Sequence, residues 1–284
     1  MTCDLLCYNI NLMKKALRYI LVIAGTIIFI NLALVPLLEP GLLYFPARDT
    51  LSYPDQNKLQ HQDVYLISKN GKKINGWFFK NSLSQKVILY LHGNADNISY
   101  PVTMTAVRNF YSLPANVFTI DYQGYGKSEG SPSENNVYQD AEAAYIFLRE
   151  KKGFAPRNII VAGNSMGGAA ATYLAIHHEV GGLILQRTFT SIADMALRKN
   201  PLFRFPIIWL GDSFNNLQMI KQVAVPVLIA HSKQDEVIPF QMSLELYKNC
   251  PEPKKLFLVK TGGHDDDIFT PEYLRSLKKL LLDR

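Results

Sequence analysis

Short apolar runs alternate with amphipathic stretches along most of the chain beyond residue 62. The runs are rich in Val, Ile and Leu and end at turn residues, which is typical of buried strands, whereas the longer stretches repeat apolar residues at helical spacing. This pattern predicts strands at residues 63–68, 73–80, 87–91, 117–121, 158–162, 182–186, 225–230 and 255–260. It predicts helices at residues 100–111, 137–150, 167–178, 239–249 and 271–283.

The order of these elements predicts an α/β fold with a mainly parallel eight-stranded sheet over residues 63–284. The first two strands flank Asn70-Gly71, a dipeptide that favours a tight hairpin. Strands and helices then alternate, and such repeats form a parallel sheet that helices cover on both faces.

One segment, residues 188–222, departs from this alternation because it carries several large aromatic residues between two predicted strands. They are Phe203, Phe205, Trp209 and Phe214. Two alternatives stay open: a small helical cap over the site, or an amphipathic helix that packs on the edge of the sheet.

Near the N-terminus, residues 19–38 contain no charged residue. Their length matches a helix that crosses the hydrocarbon layer of a membrane. Lys14, Lys15 and Arg18 precede the segment, so the positive-inside tendency places residues 1–18 in the cytoplasm and everything after residue 39 on the extracytoplasmic side. Residues 39–62 are then a juxtamembrane linker. A cleaved signal peptide is the alternative, but its apolar region usually spans about 7–15 residues, so a retained signal anchor is favoured.

Composition excludes several classes of protein. Cys3, Cys7 and Cys250 form neither a disulfide framework nor a metal-binding spacing. The net charge of +6 is spread along the chain without a long basic block, so no nucleic-acid partner is expected, whereas an anionic membrane surface is a suitable one. Without a phosphate-binding glycine loop, a nicotinamide fingerprint or a metal cluster, no cofactor and no metal are expected.

The pentapeptide GNSMG at residues 163–167 lies between a predicted strand and a predicted helix. A G-x-S-x-G sequence in this context is typical of a nucleophile elbow, a tight turn that exposes a serine hydroxyl. The serine takes a strained backbone conformation there, and a Cβ at the flanking positions would collide with the adjacent strand and helix. Ser165 is therefore the candidate nucleophile.

A nucleophilic serine needs a base and a carboxylate that orients the base, and on this arrangement of strands their chain order is serine, acid, histidine. His264 follows the last predicted strand in a glycine-containing loop, which makes it the candidate base. Asp235 follows the strand at 225–230 and precedes Pro239, where the next helix is predicted to begin. It is the candidate acid, with Glu236 as its nearest rival.

Backbone N–H groups must also stabilise the charge that develops on the substrate oxygen. One donor is expected from Met166, directly after the nucleophile, and the other from the turn after the strand at 87–91. That turn has the sequence HGNADN at residues 92–97. Asn94 is the favoured donor and Ala95 the alternative, while His92 is expected to hold the turn in place.

Six sequence blocks, in this order, resemble the α/β-hydrolase superfamily of serine hydrolases. Within it they are most similar to the membrane-anchored bud-emergence-type group and to the related animal protein depalmitoylases. The blocks are LYFP (43–46), HGNA (92–95), DYQGYGKSEG (121–130), GNSMGG (163–168), DEVIP (235–239) and GGH (262–264). Gln123 stands where the group usually has Arg, His231 where it has Gly, and Asp265 where it often has Asn.

This resemblance implies a membrane-anchored serine hydrolase that cleaves an acyl ester or thioester through an acyl-enzyme intermediate. A lipid or an acylated protein is the expected substrate. A serine peptidase of the aminopeptidase type is the alternative among enzymes, because the same triad cleaves amides. A membrane-tethered binding protein that has lost catalysis is the alternative outside enzymes.

Overall fold

The computed structural model of the protein describes residues 2–51, 59–199 and 213–282. The chain divides into two compact units. The N-terminal helices up to Leu42 belong to one unit, and the sheet with the helices that cover it belongs to the other.

The strands of the described residues are β1 (Phe45–Pro46), β2 (Gln62–Ile67), β3 (Lys73–Phe79), β4 (Val87–Leu91), β5 (Ala95–Asp96), β6 (Asn116–Ile120), β7 (Ile159–Asn164), β8 (Gly182–Gln186), β9 (Val227–Ser232) and β10 (Lys254–Val259). Eight of them form one sheet in the order β10-β9-β8-β7-β4-β6-β3-β2, and β1 and β5 form a separate parallel pair. Only the β2–β3 and β3–β6 neighbours are antiparallel. The predicted mainly parallel sheet is confirmed.

The helices of the described residues are α1 (Thr2–Phe29), α2 (Val35–Leu43), α3 (Pro101–Tyr111), α4 (Glu134–Ile146), α5 (Met166–His177), α6 (Ile192–Lys199), α7 (Asn216–Ile220), α8 (Gln241–Asn249) and α9 (Pro271–Leu282). A π-helical turn, Ile30–Leu34, joins α1 to α2, and another, Phe147–Lys151, extends α4.

The sheet separates two hydrophobic clusters because successive side chains of a strand point to opposite faces. In β4, Leu89 belongs to the cluster that includes residues of α4, α5 and α8, whereas Ile88 and Tyr90 belong to the cluster that includes residues of α3 and α9. Every residue of β4, β6, β7 and β8 is buried. Burial on both faces explains why these strands appear in the sequence as almost continuous apolar runs.

The carboxyl ends of the parallel strands lie at one edge of the sheet. The turns that follow β4, β6, β7, β8, β9 and β10 therefore meet there, although they come from distant parts of the sequence. Ligands of open α/β sheets bind outside this edge. Ser165, Asp235, His264 and Asn94 belong to these turns, and Met166 begins the helix that follows β7.

The N-terminal segment differs from the prediction of one transmembrane helix at residues 19–38. The structure divides that stretch between α1, the π-helical turn and α2. The regular helix that begins at Thr2 also contains Lys14, Lys15 and Arg18 and ends at Phe29. In the described part of the chain, no helix is both long enough and apolar enough to cross a membrane.

Part of the predicted juxtamembrane linker lies against the sheet-containing unit. β1 pairs with β5, and the Phe45 N–H donates to the carbonyl oxygen of Asn94 at 2.9 Å. Asn97 Nδ2 donates to the carbonyl oxygens of Ala47 and Asp49 at 3.1 and 2.7 Å. These bonds fasten the segment to the turn after β4, which contains the candidate oxyanion donor.

The segment predicted as a cap, residues 188–222, is described at its two ends, where α6 and α7 lie. Phe203, Phe205 and Trp209 lie outside the described residues, so the choice between a cap and an edge helix stays a prediction. Phe214 is buried among aromatic rings, and its backbone N–H donates to Glu134 Oε1 at 2.9 Å. Glu134 therefore ties the end of this segment to the start of α4.

Candidate active site

Ser165 occupies the turn between β7 and α5 with φ 53° and ψ −120°. A positive φ is uncommon for a residue that carries a Cβ, and such strain concentrates at functional sites. The Ser165 N–H donates to the carbonyl oxygen of Gln186 at 2.9 Å, and the Ser165 carbonyl accepts from Thr188 Oγ1 at 2.8 Å. Bonds to the neighbouring strand β8 and the residues after it thus hold the strained turn.

Glycines on both sides of Ser165 allow the backbones to approach closely. A Cβ on Gly163 would overlap the carbonyl of Gly167, and a Cβ on Gly167 would overlap the carbonyls of Leu91 and His92. These obstacles are backbone atoms, which cannot rotate aside as a side chain can. Glycine is therefore required where β7 and α5 meet the end of β4.

Asp235 and His264 form a direct hydrogen bond, with 2.8 Å between Asp235 Oδ2 and His264 Nδ1. The other carboxylate oxygen accepts the backbone N–H groups of Val237 and Ile238 at 2.9 and 2.8 Å. An ionised carboxylate only accepts hydrogen bonds, so Nδ1 of His264 carries the proton in this pair. In the neutral imidazole, Nε2 is then unprotonated and able to act as a base.

His231 is a second histidine bound to the same carboxylate, and sequence reasoning missed this role. Its Nε2 lies 3.1 Å from Asp235 Oδ2 and 2.9 Å from the carbonyl oxygen of Ile238. Both are acceptors, so Nε2 carries the proton, and Nδ1 accepts from the Ser243 hydroxyl at 2.6 Å. His231 is completely buried. The only signal in the sequence was its place where the resembling group has Gly.

These contacts determine the charge of Asp235. Burial by itself raises the pKa of this carboxyl, but the hydrogen bonds from His231 and His264 and the backbone N–H of Ile238 outweigh it and hold the pKa well below its usual range. The carboxylate is therefore ionised at every pH at which an imidazole could act as a base.

The rival acid, Glu236, has a different position. Its carboxylate oxygens lie 3.4 and 3.2 Å from the backbone nitrogen of His264. The carboxylate that bonds Nδ1 of the His264 ring is that of Asp235. Glu236 thus binds the main chain of the histidine loop, and Asp235 binds the ring.

The structure brings Asp235 and His264 together, and it places Ser165 on the turn after β7 at the same sheet edge. In the described part of the chain, Ser165 Oγ and His264 share no hydrogen bond. Bonds between a nucleophile and its base are often long without substrate and shorten in the reactive complex.

The turn after β4 lies against the elbow. A Cβ placed on Gly93 would be 3.4 Å from the Ser165 Cβ, an ordinary contact distance, so the two turns lie side by side. Asn94 is held by its side chain, which donates to the Leu43 carbonyl at 2.7 Å, and by its own carbonyl, which accepts from the Tyr125 hydroxyl at 2.7 Å. Within the described residues the Asn94 N–H has no hydrogen-bond acceptor. Met166 begins α5, where backbone N–H groups have no partner within the helix.

His92 and Asp121 are buried together behind this turn. His92 Nδ1 lies 2.8 Å from the Gly93 carbonyl oxygen, and its Nε2 lies 3.9 Å from Asp121 Oδ1. Burial lowers the pKa of His92 to about 4 and raises the pKa of Asp121 to about 7. His92 also contacts the rings of Tyr122 and Tyr125. Its surroundings agree with a role in holding the turn.

Gln123, which stands where the resembling group has Arg, forms hydrogen bonds in place of an ion pair. Its backbone N–H and its Nε2 donate to the two carboxylate oxygens of Asp140 at 2.7 and 2.8 Å. Burial outweighs these bonds and raises the pKa of Asp140 to about 6. This departure lies outside the candidate site.

The fold and the site define a protein with a strained serine turn between strand and helix at the carboxyl edge of a mainly parallel sheet. A family model of the alpha/beta hydrolase fold matches residues 86–217. Alpha/beta hydrolase domain-containing protein 17B of Homo sapiens is 32% identical over 248 residues, which cover 84% of this chain and 81% of that protein. A protein from Escherichia coli O157:H7, YfhR, is 33% identical over 247 residues, with 82% of each chain covered.

Solved structures agree on the fold. Esterase Pf2001 of Pyrococcus furiosus superposes with a TM-score of 0.70 at 17% identity, covering 84% of this chain and 96% of that one. Est1E of Butyrivibrio proteoclasticus gives a TM-score of 0.64 at 17% identity, covering 78% and 98%. The chain belongs to the α/β-hydrolase family. The resemblance found in the sequence blocks is thereby confirmed.

The buried pair His92 and Asp121 predicts opposite effects of pH on stability. Between pH 6.5 and about 4, His92 is protonated in the unfolded chain but not in the folded chain. The contribution of His92 to the free energy of unfolding is therefore lost as pH falls. Between pH 3.8 and about 7, the folded chain keeps a proton on Asp121 that the unfolded chain releases. The contribution of Asp121 to the free energy of unfolding is therefore lost as pH rises. In His92→Gln the contribution of His92 is absent, so we expect the loss of stability with rising pH that Asp121 causes to become visible.

The free energy of unfolding of His92→Gln should fall more steeply than that of the wild type from pH 4.5 to 7, by on the order of 2 kcal/mol over this range. Urea unfolding at several pH values measures this. His177→Gln, at the exposed end of α5, serves as the control and should follow the wild-type curve. Parallel curves for His92→Gln and the wild type would contradict the prediction.

Proposed function

We propose that this protein is a serine hydrolase that cleaves an acyl ester or thioester through an acyl-enzyme intermediate. The observation that carries the proposal is the 2.8 Å bond between Asp235 and His264 at the sheet edge where the strained elbow holds Ser165. Membership of the α/β-hydrolase family supports a hydrolytic reaction.

The proposed reaction begins when His264 Nε2 accepts the proton of the Ser165 hydroxyl as its oxygen attacks the acyl carbonyl carbon. The N–H groups of Asn94 and Met166 donate to the oxyanion that forms. His264 then gives the proton to the leaving alcohol or thiol, which leaves the acyl group on Ser165. Water, activated by the same imidazole, attacks the acyl-enzyme and releases the carboxylic acid.

Asp235 has two functions in this scheme. Its bond to Nδ1 selects the tautomer that leaves Nε2 unprotonated, and its negative charge stabilises the imidazolium that forms in each step. The low pKa of Asp235 supports this role because the carboxylate does not take the proton itself.

We expect the substrate to be a lipid or an acylated protein. Support comes from the similarity to the depalmitoylase-like group and from the apolar surface of the N-terminal helix. A peptidase of the aminopeptidase type and a catalytically silent binding protein are the outcomes against which the proposal is tested.

Replacement of the proposed site residues should affect the reaction unequally. Ser165→Ala should abolish labelling by a fluorophosphonate probe and hydrolysis of p-nitrophenyl esters. Asp235→Asn should lower kcat by about 10³-fold or more, because the imidazole loses its orienting acceptor. Glu236→Gln keeps an acceptor for the His264 backbone and should cost less than about tenfold.

A larger loss in Glu236→Gln than in Asp235→Asn would overturn the assignment of the acid. If the probe fails to label the wild type, the alternative of a catalytically silent binding protein is favoured.

The class of substrate should appear in a comparison of leaving groups. We expect the purified protein to cleave acyl esters and acyl thioesters, compared at short and long chain lengths, and to leave aminoacyl amides intact. Ser165→Ala should remove each activity. Faster cleavage of aminoacyl p-nitroanilides than of any ester would instead identify a peptidase.

We also propose that the charge-free residues 19–38, which run through the end of α1, the π-helical turn and α2, together attach the protein to a membrane. Residues 1–18 would then lie in the cytoplasm and the hydrolase domain on the extracytoplasmic side. The apolar side chains of α1 from Tyr19 to Ile23 are 59–69% exposed, a surface that suits contact with lipid chains. Lys14, Lys15 and Arg18 precede it and favour the cytoplasmic side.

The variant Leu21→Lys/Ile23→Lys should move the protein from the carbonate-washed membrane fraction to the supernatant, because buried charges oppose contact with lipid. Leu83→Lys/Leu244→Lys, which changes two exposed apolar residues of the other unit, serves as the control and should stay with the membrane. Release of the wild type by carbonate would contradict attachment. Digestion of the hydrolase domain by protease added to the cytoplasmic side would contradict the orientation.

A further inference from the structure

Arg187 is the first residue after β8, at the sheet edge that carries the candidate active site. It is 4% exposed, and its φ of 47° is unusual for a residue with a long side chain. Its backbone N–H donates to the Ala230 carbonyl at 2.9 Å. The main chain thus aims the Arg187 side chain between the turns that follow β7 and β10.

The guanidinium joins these two turns. Nε donates to Asn164 Oδ1 at 3.1 Å, and Nη1 donates to the Asp266 carbonyl oxygen at 2.5 Å. Asn164 directly precedes Ser165, and Asp266 lies two residues after His264. One planar side chain therefore connects the segment that holds the nucleophile to the segment that holds the base.

The charge of Arg187 has no ion pair within the described residues, since both acceptors are neutral. The nearby Asp266 carboxylate instead accepts the Gly263 N–H at 2.7 Å. Arg187 also lines a cavity of about 170 Å³ between α3 and residues 265–269. A buried cation without an ion pair is costly, so its retention calls for a compensating benefit.

The rigid fork of the guanidinium explains why this residue type suits the position. It presents donors in two fixed directions in one plane, whereas the ammonium of lysine is a single point on a flexible chain. Two acceptors on separate turns can be held at a constant separation only by such a fork.

We propose that Arg187 is a positioning residue that sets the separation of Ser165 and His264 by binding Asn164 and Asp266. The inference rests on the serine-hydrolase function proposed above. Ser165 and His264 share no hydrogen bond with each other, and Arg187 explains how the turns that carry them are held at a constant spacing. Its loss should slow the reaction and leave substrate binding unchanged.

The test uses the full-length variants Arg187→Gln and Arg187→Lys with a p-nitrophenyl acyl ester. Fluorophosphonate titration first counts the active sites, so that kcat is expressed per working site. We expect kcat per site to fall about 10–100-fold in Arg187→Gln, with KM within about threefold of the wild type, because small displacements of reacting groups cost this much. Arg187→Lys keeps the charge without the fork and should remain at least about tenfold slower.

Arg149→Gln is the matched control. Its guanidinium also donates to a backbone carbonyl, that of Phe154 at 2.9 Å, at the end of α4. The control should keep the wild-type kcat per site. A thermal melt of each variant identifies any loss that follows from unfolding.

A double-mutant cycle with Asn164→Ala tests the route of the effect. If Arg187 acts through Asn164, Arg187→Gln/Asn164→Ala should be little slower than the slower single variant, since coupled residues do not add. Strictly additive losses would contradict the proposed route.

The inference is overturned if Arg187→Gln keeps the wild-type kcat per site, or if its KM rises while kcat stays constant. A lower melting temperature with fewer titrated sites and unchanged kcat per site would show a purely structural role and would also overturn it. Failure of the underlying serine-hydrolase function looks different, because either the wild type would resist labelling or Ser165→Ala would keep the activity and the labelling of the wild type.

Discussion

The close crossing of β4, β7 and α5 at Ser165 is the constraint on which the rest of the site depends. Gly163 and Gly167 allow backbone to lie against backbone there, and the turn that contains Gly93 lies next to Ser165. The serine takes a positive φ as a consequence and stands at the first turn of α5. The helix N-terminus then presents its N–H groups next to Ser165, where the proposed reaction would form an oxyanion.

A chain of hydrogen bonds holds the candidate acid and the candidate base in place. It runs from Ser243 in α8 through His231 and Asp235 to His264. Each bond has one possible donor, so the direction of every proton follows from the single ionised carboxylate. Burial strengthens such a network and makes an unpaired member costly, which explains why every member here has its partner.

The sequence predicted the elements of the sheet well and their ends less well. β9 was predicted at residues 225–230 and lies at Val227–Ser232, because Pro226 cannot donate to the ladder and because His231 and Ser232 are buried polar residues with partners in distant segments. α4 begins at Glu134, ahead of the prediction, because the Ser133 side chain caps it. At the N-terminus, α1 crosses the first predicted boundary of the charge-free segment and ends inside it, and α2 crosses the second boundary.

By itself, the sequence determined the family, the alternation of strands and helices, and the candidate nucleophile, acid and base, because each follows from local pattern or from order along the chain. The tertiary structure decided what lies around them: His231 on the far side of Asp235, Glu236 on the histidine backbone, and Arg187 between the two turns. These contacts join residues far apart in the chain. Packing of the parallel strands brings them to one edge, and no local pattern records that proximity.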